Sequence, residues 1–374
     1  MKQFKKLLLP IKPTHFFNDY WRKNILHISR DSRTHNLVTI DEINIYMGKE
    51  AITYPFLRMV GNGSEIDQSQ YVLDPEGQFN LINKDSLYRL FEKGNTIVIQ
   101  GSQYQFPKLN KYILELEKEL NMSVNANIYI TPSNAQGFYP HFDTHEVFVL
   151  QISGSKKWNI YDMPIPSPIK GMGLTKDQRD KYLMNNPLHN LKLEEGDLLY
   201  IPRGVVHDAY SENELSIHIT FGLMPLLRNE VAKRLVNSLE NQEFFREPFA
   251  ENIAAATSDE KDKFKQEMSR RLDDILDQDF MYTDYRIKFN KSVDLFNTFF
   301  VIDNLGQYKS EIQFKCFDSV HSETNKFTDD EKSLFIRITN NQILNTFDSE
   351  TPTYQQEIKD FLKFCARKKL IYIQ

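Results

Sequence analysis

From about residue 124 to 223 the apolar period of this chain is two, and five short runs carry it. They read "VNANIYIT", "EVFVLQIS", "KKWNIYDM", "GDLLYIPRG" and "LSIHITFGL", with turn residues between them. Alternation of this kind describes strands with one face in a core. Strands at this density build a β-sandwich or a barrel, and the rest of the chain must be arranged around it. The longest gap, roughly 163–190, bears Pro and Gly and reads as an insertion over the barrel.

Two of the runs carry polar residues on a single parity. Asn125, Asn127, Tyr129 and Thr131 share one face, and Ser216, His218 and Thr220 share another. A face packed on an apolar core would carry Val or Leu, so these faces line either a polar cavity or solvent.

The flanking segments are mostly helical. "THFFNDYWRKN" predicts a short helix over 14–24 with Thr14 as N-cap. Residues 37–121 are mixed: "LVTIDEINIYM", a helix near "KDSLYRLFEKG", the strand "NTIVIQGS", then an amphipathic helix with Leu109, Ile113, Leu116 and Leu120 on one face. After Pro225 two more amphipathic helices follow. Leu227, Val231, Leu235 and Leu239 mark the first; the second starts at the capping box "TSDE" (Thr257 to Glu260) and carries Phe264, Met268, Leu272 and Ile275. Their apolar faces pack either on the chain's own barrel or on a second copy. Beyond about residue 291 come an alternating "EIQFKCF", two helices and a closing "LIYIQ", the outline of a winged helix. The basic "ARKK" there suits a helix C-terminus better than a nucleic-acid surface.

Composition removes several function classes. The chain has 374 residues, 26% charged and 13% aromatic, which describes a folded protein of more than one domain. A net charge of −5 argues against a general nucleic-acid or anionic-membrane surface. Cys316 and Cys365 are the only cysteines, too far apart for a C-x-x-C pair, so neither a disulfide framework nor a cysteine zinc site is expected. The N-terminal "MKQFKKLLLPIKP" has too short an apolar run for a leader, and no stretch approaches the roughly eighteen apolar residues of a membrane span. The expected location is the cytoplasm.

The chemistry concentrates at "YPHFDTHEVFVL", where His141, Asp143, His145 and Glu146 precede an apolar strand. In an extended chain His141, Asp143 and His145 share a side, and a His and a carboxylate two apart can reach one metal ion. Alone, H-x-D is equally a polar surface turn. A second stretch, "EEGDLLYIPRGVVHDAYS", matches the second cupin motif G-x5-P-x-G-x2-H-x3-N, with His207 in the ligand place and Ser211 replacing the final Asn. Two His and one carboxylate on a β-barrel form a facial triad, which suits non-haem Fe(II) and leaves positions open for a bidentate oxo acid and oxygen. Zinc is the competing metal. An oxo diacid also needs a cation for its far carboxylate. Lys156, fifteen residues after His141 across a strand and a turn, can fold back to meet it or can snorkel to solvent. His218 is read as a hydrogen-bonding neighbour of the site rather than a fourth ligand.

With these motifs the chain resembles the Jumonji-C oxygenases, and within them the ribosomal oxygenases. The likeness rests on "PHFDTHEVFVLQISGSKKW", "LEEGDLLYIPRGVVH" and "SIHIT", with "FFNDYWRKNILHISR" similar to that family's opening. It implies an α+β fold: a double-stranded β-helix (cupin, or jelly-roll, barrel) with N-terminal helices. It implies a catalytic domain over 1–225 with its barrel core at about 97–223, a helical dimerisation segment over 226–290 and a winged-helix-like domain over 291–374. It implies Fe(II) on His141, Asp143 and His207, with no catalytic side chain beyond the metal centre. It implies 2-oxoglutarate held through Lys156, with Asn127, Tyr129, Thr131 and His218 around the co-substrate. The implied activity is hydroxylation of a protein or peptide side chain, an Arg or His of a ribosomal protein, by a homodimer. Two departures bear on the substrate: His145 is extra beside Glu146, and Gly222 sits where related enzymes can carry a serine. The alternatives are a tailoring hydroxylase for a ribosomally made peptide and, from a different class, a non-enzymatic metal-binding interaction module. Histone demethylation would call for a reader domain or basic face, and the sequence offers neither.

Overall fold

The computed structural model describes residues 2–29, 36–75, 80–240, 242–249, 257–277, 314–316, 327–339, 352–367 and 371–373. The chain divides into two compact units, Met1–Pro225 and Leu226–Gln374.

In the first unit the strands are β1 (Leu26–Ile28), β2 (Leu57–Gly61), β3 (Ser64–Glu65), β4 (Thr96–Ile99), β5 (Ser123–Thr131), β6 (Glu146–Ser153), β7 (Lys156–Ile160), β8 (His189–Leu193), β9 (Leu198–Ile201), β10 (His207–Tyr210) and β11 (Ser216–Met224). They form an eight-stranded sheet in the order β1-β9-β6-β11-β5-β4-β2-β3 and a three-stranded sheet β10-β7-β8, with antiparallel ladders throughout. The five strands expected from the period-two runs are β5, β6, β7, β9 and β11. β8 and β10 were not distinct in the sequence, because "HNLKL" and "HDAY" carry few apolar residues.

The large sheet has two different faces. Val124, Ala126, Ile128 and Ile130 of β5 turn to an apolar core shared with Leu109, Tyr112, Ile113 and Leu116 of the helix Pro107–Leu120. That helix presents the face its spacing predicted, opens with Pro107 at its first turn and ends at Asn121 in the left-handed region, φ +53°. N-terminal aromatics close the same core: Phe16 packs on Phe148 of β6 and Tyr200 of β9 at centroid distances of 5.4 and 4.8 Å. The opposite face looks toward the small sheet. There Val147, Val149, Leu199 and Ile201 meet Trp158, Ile160 and Leu193 in a second apolar cluster.

Some boundaries differ from expectation. The N-terminal helix is Lys2–Leu8; the helix expected over 14–24 begins at Pro13 after an extended Lys12 and gives way to a π-helical turn at Phe16–Tyr20. Thr14 therefore lies inside the first turn and is not the cap, because proline without its N–H takes the first helical place. "TIDEINIYMG" forms the helix Ile40–Gly48 behind a Thr39–Glu42 capping box. The 163–190 insertion holds a helix, Lys176–Met184, with its own Thr175–Gln178 box.

The second unit is helical at its start, with Arg228–Leu239, Glu243–Arg246 and Ser258–Asp277. The Glu260 backbone N–H donates to Thr257 Oγ1 and the Thr257 N–H to the Glu260 carboxylate, so "TSDE" caps as expected. The side chains of Leu235 and Ile275 lie outside the described residues. Further on, β12 (Phe314–Cys316) pairs with β13 (Ile371–Ile373), and Phe335, Ile338, Ile358, Leu362 and Cys365 are buried on the helices Asp329–Thr339 and Pro352–Arg367. The first of these two helices was expected over "DDEKSLFIRITNNQIL", and its part beyond Thr339 lies outside the described residues. Among the described residues, no helix is long and apolar enough to cross a membrane.

Candidate metal centre and its cavity

His141 and Asp143 are not on a regular strand, as their alternation suggested. They sit in the loop before β6, and an isolated antiparallel bridge ties His141 to His207, the first residue of β10. The Asp143 carbonyl accepts the Gly204 N–H at 2.9 Å, so the Pro202–Gly204 turn of the motif fixes the carboxylate's backbone. One ligand atom from each of His141, Asp143 and His207 lies within 4.8 Å of the others. The closest recorded pair is His207 Nε2 and Asp143 Oδ2, at 3.7 Å.

The imidazoles are set for a metal. Nδ1 of His141 lies 2.9 Å from the Tyr139 carbonyl, and Nδ1 of His207 lies 3.0 Å from that of Val205. A carbonyl only accepts, so each Nδ1 carries a proton, and Nε2 is the nitrogen left to face a metal. Burial, reinforced by His141, pushes His207 down to about 4 and keeps it neutral, as a ligand must be. Two imidazoles and one carboxylate make an N/O set that fits a divalent transition metal.

Beyond the Trp158 and His218 rings, which link it to His207, lies a buried cation. Lys156, the first residue of β7, is buried, and its Nζ donates to Thr131 Oγ1 at 2.8 Å; Thr131 in turn lies 3.1 Å from Thr96 Oγ1. No carboxylate is recorded against this ammonium among the described residues, and burial pushes it down to about 7. His218 stacks on Tyr129 at 4.8 Å and 3° and meets the edge of Trp158 at 5.5 Å. Burial and then Lys156 hold His218 well below its ordinary range, so it is neutral too, and its buried Nδ1 has no hydrogen-bond partner. Asn127 Oδ1 accepts the Gly101 N–H at 3.0 Å on the same face.

Register explains why these residues meet. Thr131 is opposite Ser216, Tyr129 opposite His218, Asn127 opposite Thr220 and Asn125 opposite Gly222. Exposure grades along the face from the buried Thr131 and Ser216 to the exposed Asn125, which makes the Lys156 end closed and the Gly222 end open. On the polar parity of β5 and β11, Thr131, Ser216 and His218 are buried, so this end of the face is turned away from solvent.

Two residues here escaped the sequence reading. Trp158 lies 6.0 Å from His207 and forms a wall of the cavity; its i+2 spacing from Lys156 was the available signal. Arg58 of β2 shares a row with Val98, Tyr129 and His218. Its guanidinium lies 5.8 Å from the Phe138 ring, which in turn lies 5.2 Å from His141. Only the sheet register brings Arg58 there.

The neighbouring Glu146 and His145 also have places. Glu146 faces away from the triad: its carboxylate accepts the Tyr200 hydroxyl at 2.5 Å and the Arg203 N–H at 3.3 Å, with Arg203 Nε 3.7 Å away. Burial raises its pKa. It is a structural anchor for the turn after β9. His145 stays with the site, its Nδ1 3.9 Å from Asp143 Oδ1.

Residues 103–231 match the JmjC domain family. Over 224 residues the chain is 34% identical to the "Bifunctional lysine-specific demethylase and histidyl-hydroxylase NO66" of Drosophila willistoni, covering 58% of this chain and 28% of that one. It is 25% identical over 279 residues to the human "Ribosomal oxygenase 1", covering 69% and 42%. The chain thus spans less than half the length of these curated relatives. Among solved structures it is similar to the Escherichia coli ribosomal oxygenase YcfD, with a TM-score of 0.55 at 14% identity, covering 98% of this chain and 99% of that one. A second YcfD structure, in complex with cobalt and 2-oxoglutarate, gives a TM-score of 0.54 at 12% identity over the same shares. At these identities the structural likeness speaks for the fold. Motif and site geometry agree with the JmjC domain match over residues 103–231.

Proposed function

We propose that this chain is an Fe(II)- and 2-oxoglutarate-dependent hydroxylase of a protein side chain, an Arg or His of a ribosomal protein. The observation that carries the reading is a two-His, one-carboxylate cluster linked through the Trp158 and His218 rings to a buried lysine that meets no carboxylate among the described residues. The names of the relatives, histidyl-hydroxylase and ribosomal oxygenase, support the substrate class.

His141, Asp143 and His207 would hold the metal, whose bound chemistry couples oxidative decarboxylation of the oxo acid to hydroxylation of a C–H bond. Lys156 and Thr131 offer the far carboxylate a cation and a hydroxyl. Asn127, Tyr129 and His218 flank it, and Tyr129, Trp158 and His218 form a ring-lined wall that excludes water. The remaining task is positioning: the open end near Asn125 and Gly222 admits the target.

The helices Arg228–Leu239 and Ser258–Asp277 are read as a homodimerisation segment over 226–290. Val236, Phe264 and Leu272 leave apolar surface uncovered on them, which supports that reading. The two helices and the β12–β13 ladder support a winged-helix-like domain over 291–374. The reading places the enzyme in the cytoplasm, where ribosomal proteins are met.

The test is anaerobic reconstitution with Fe(II), then admission of oxygen with 2-oxoglutarate and candidate ribosomal proteins. Succinate release matched by a single added oxygen on an Arg or His supports the reading. Release of neither, from protein shown to hold iron, refutes it.

A further inference from the structure

His145 lies immediately before β6, with its ring between Asp143 and Gly222. Nδ1 lies 3.9 Å from Asp143 Oδ1. The other edge lies over Gly222 of β11, where a Cβ would fall 2.5 Å from Nε2 and closer still to Cδ2. Gly222 is not among the glycines with positive φ, so its backbone does not demand glycine. Close approach of this ring does. With one nitrogen turned to Asp143 and the other to the strand, the ring's flat face is what remains for an incoming group. The side chain is 34% accessible, unlike the buried rings of His207 and His218.

We propose that His145 is a specificity-determining residue whose face stacks on a planar target side chain, a guanidinium or an imidazole, on its way to the metal. This rests on the hydroxylase reading and deepens it. A guanidinium is planar and weakly hydrated and stacks on rings, whereas a lysine ammonium is a compact, strongly hydrated point charge. Gly222 is then part of the same device: it makes room for the platform and adds no side chain of its own.

The probes are N-acetyl-arginine amide and N-acetyl-lysine amide, equal in charge and different in planarity. Each is added to the full chain loaded with Co(II) and 2-oxoglutarate, and broadening of its proton resonances by the bound cobalt is recorded. The arginine probe is expected to broaden at lower concentration, by roughly two- to fivefold. His145→Ala abolishes the difference, and His145→Phe, which keeps a flat face without nitrogens, preserves it. Equal broadening in the parent protein, a preference that survives His145→Ala, or one lost in His145→Phe overturns the proposal. Cobalt absorption in the same samples separates the failures: absence of bound cobalt contradicts the metal centre, whereas bound cobalt without a probe preference contradicts the role of His145. Thermal melts need no metal. Gly222→Ala should lower the melting temperature clearly beside His145 and much less in His145→Ala; equal losses mean that the ring is not seated there, and the proposal falls.

Discussion

His141 and His207, far apart in the chain, exchange a pair of backbone hydrogen bonds. The His141 N–H donates to the His207 carbonyl at 3.1 Å and the His207 N–H to the His141 carbonyl at 2.8 Å. Two candidate ligands are therefore fixed by backbone rather than by rotamer alone, and their Nε2 atoms are preset before any ion arrives. Removing either imidazole should leave the bridge and lose the ion. His207→Ala is expected to keep a native circular-dichroism spectrum while Fe(II) affinity falls by at least about 100-fold, measured by anaerobic equilibrium dialysis.

Lys156 makes stability and ligand binding depend on pH in opposite senses. Folded, its ammonium deprotonates near about 7; unfolded, near 10.5. Between those values the unfolded chain binds more protons, so this group's contribution to stability of the ligand-free protein climbs as pH rises. Below about 7 the cost of the buried charge is fully present. Binding of 2-oxoglutarate restores the proton, so its affinity should fall as pH rises above about 7, with proton uptake visible as a buffer-dependent heat at pH 8.

Lys156→Met should separate folding from function. It removes a buried charge without a counter-ion while keeping most of the volume. The ligand-free protein is expected to gain about 1–2 kcal/mol in denaturant titrations and to lose 2-oxoglutarate binding. A destabilised variant would show that the ammonium has a structural partner.

Gly204 carries a double constraint. Its φ is +89°, and a Cβ would fall 2.8 Å from the Ile165 carbonyl oxygen. Gly204→Ala is expected to cost about 1–3 kcal/mol and to weaken metal binding as well, because the Gly204 N–H anchors Asp143. Chemical denaturation and metal titration of the one variant check both.

Arg203 compensates a carboxylate that is entirely buried. Arg203→Met should cost about 3–5 kcal/mol, since it leaves Glu146 unpaired, and adding Glu146→Gln should recover much of the loss. A double-mutant cycle by urea melts measures that coupling.

The sequence was most informative where turn chemistry and ligand fall at fixed spacing. His207 was legible from Gly196, Pro202 and Gly204, and the cavity from the polar parity of β5 and β11. Residues joined only by register were hidden: Arg58 reaches the Tyr129 row through two strand pairings, and no local pattern announces that. Glu146 was misleading for a related reason. It follows the site residues in the chain, yet the pleat turns it to Tyr200 and Arg203 on the opposite face. The link between His145 and Gly222 joins two chain segments at a single close approach, and residue type alone gives no sign of it.

The most direct test of the account is anaerobic binding of Fe(II) and 2-oxoglutarate to the purified chain, alone and together. One iron per chain is expected, with 2-oxoglutarate bound far more tightly with iron than without, and loss of the first in His207→Ala and of the second in Lys156→Met. Iron retained by His207→Ala, or 2-oxoglutarate held equally well by Lys156→Met, would contradict it.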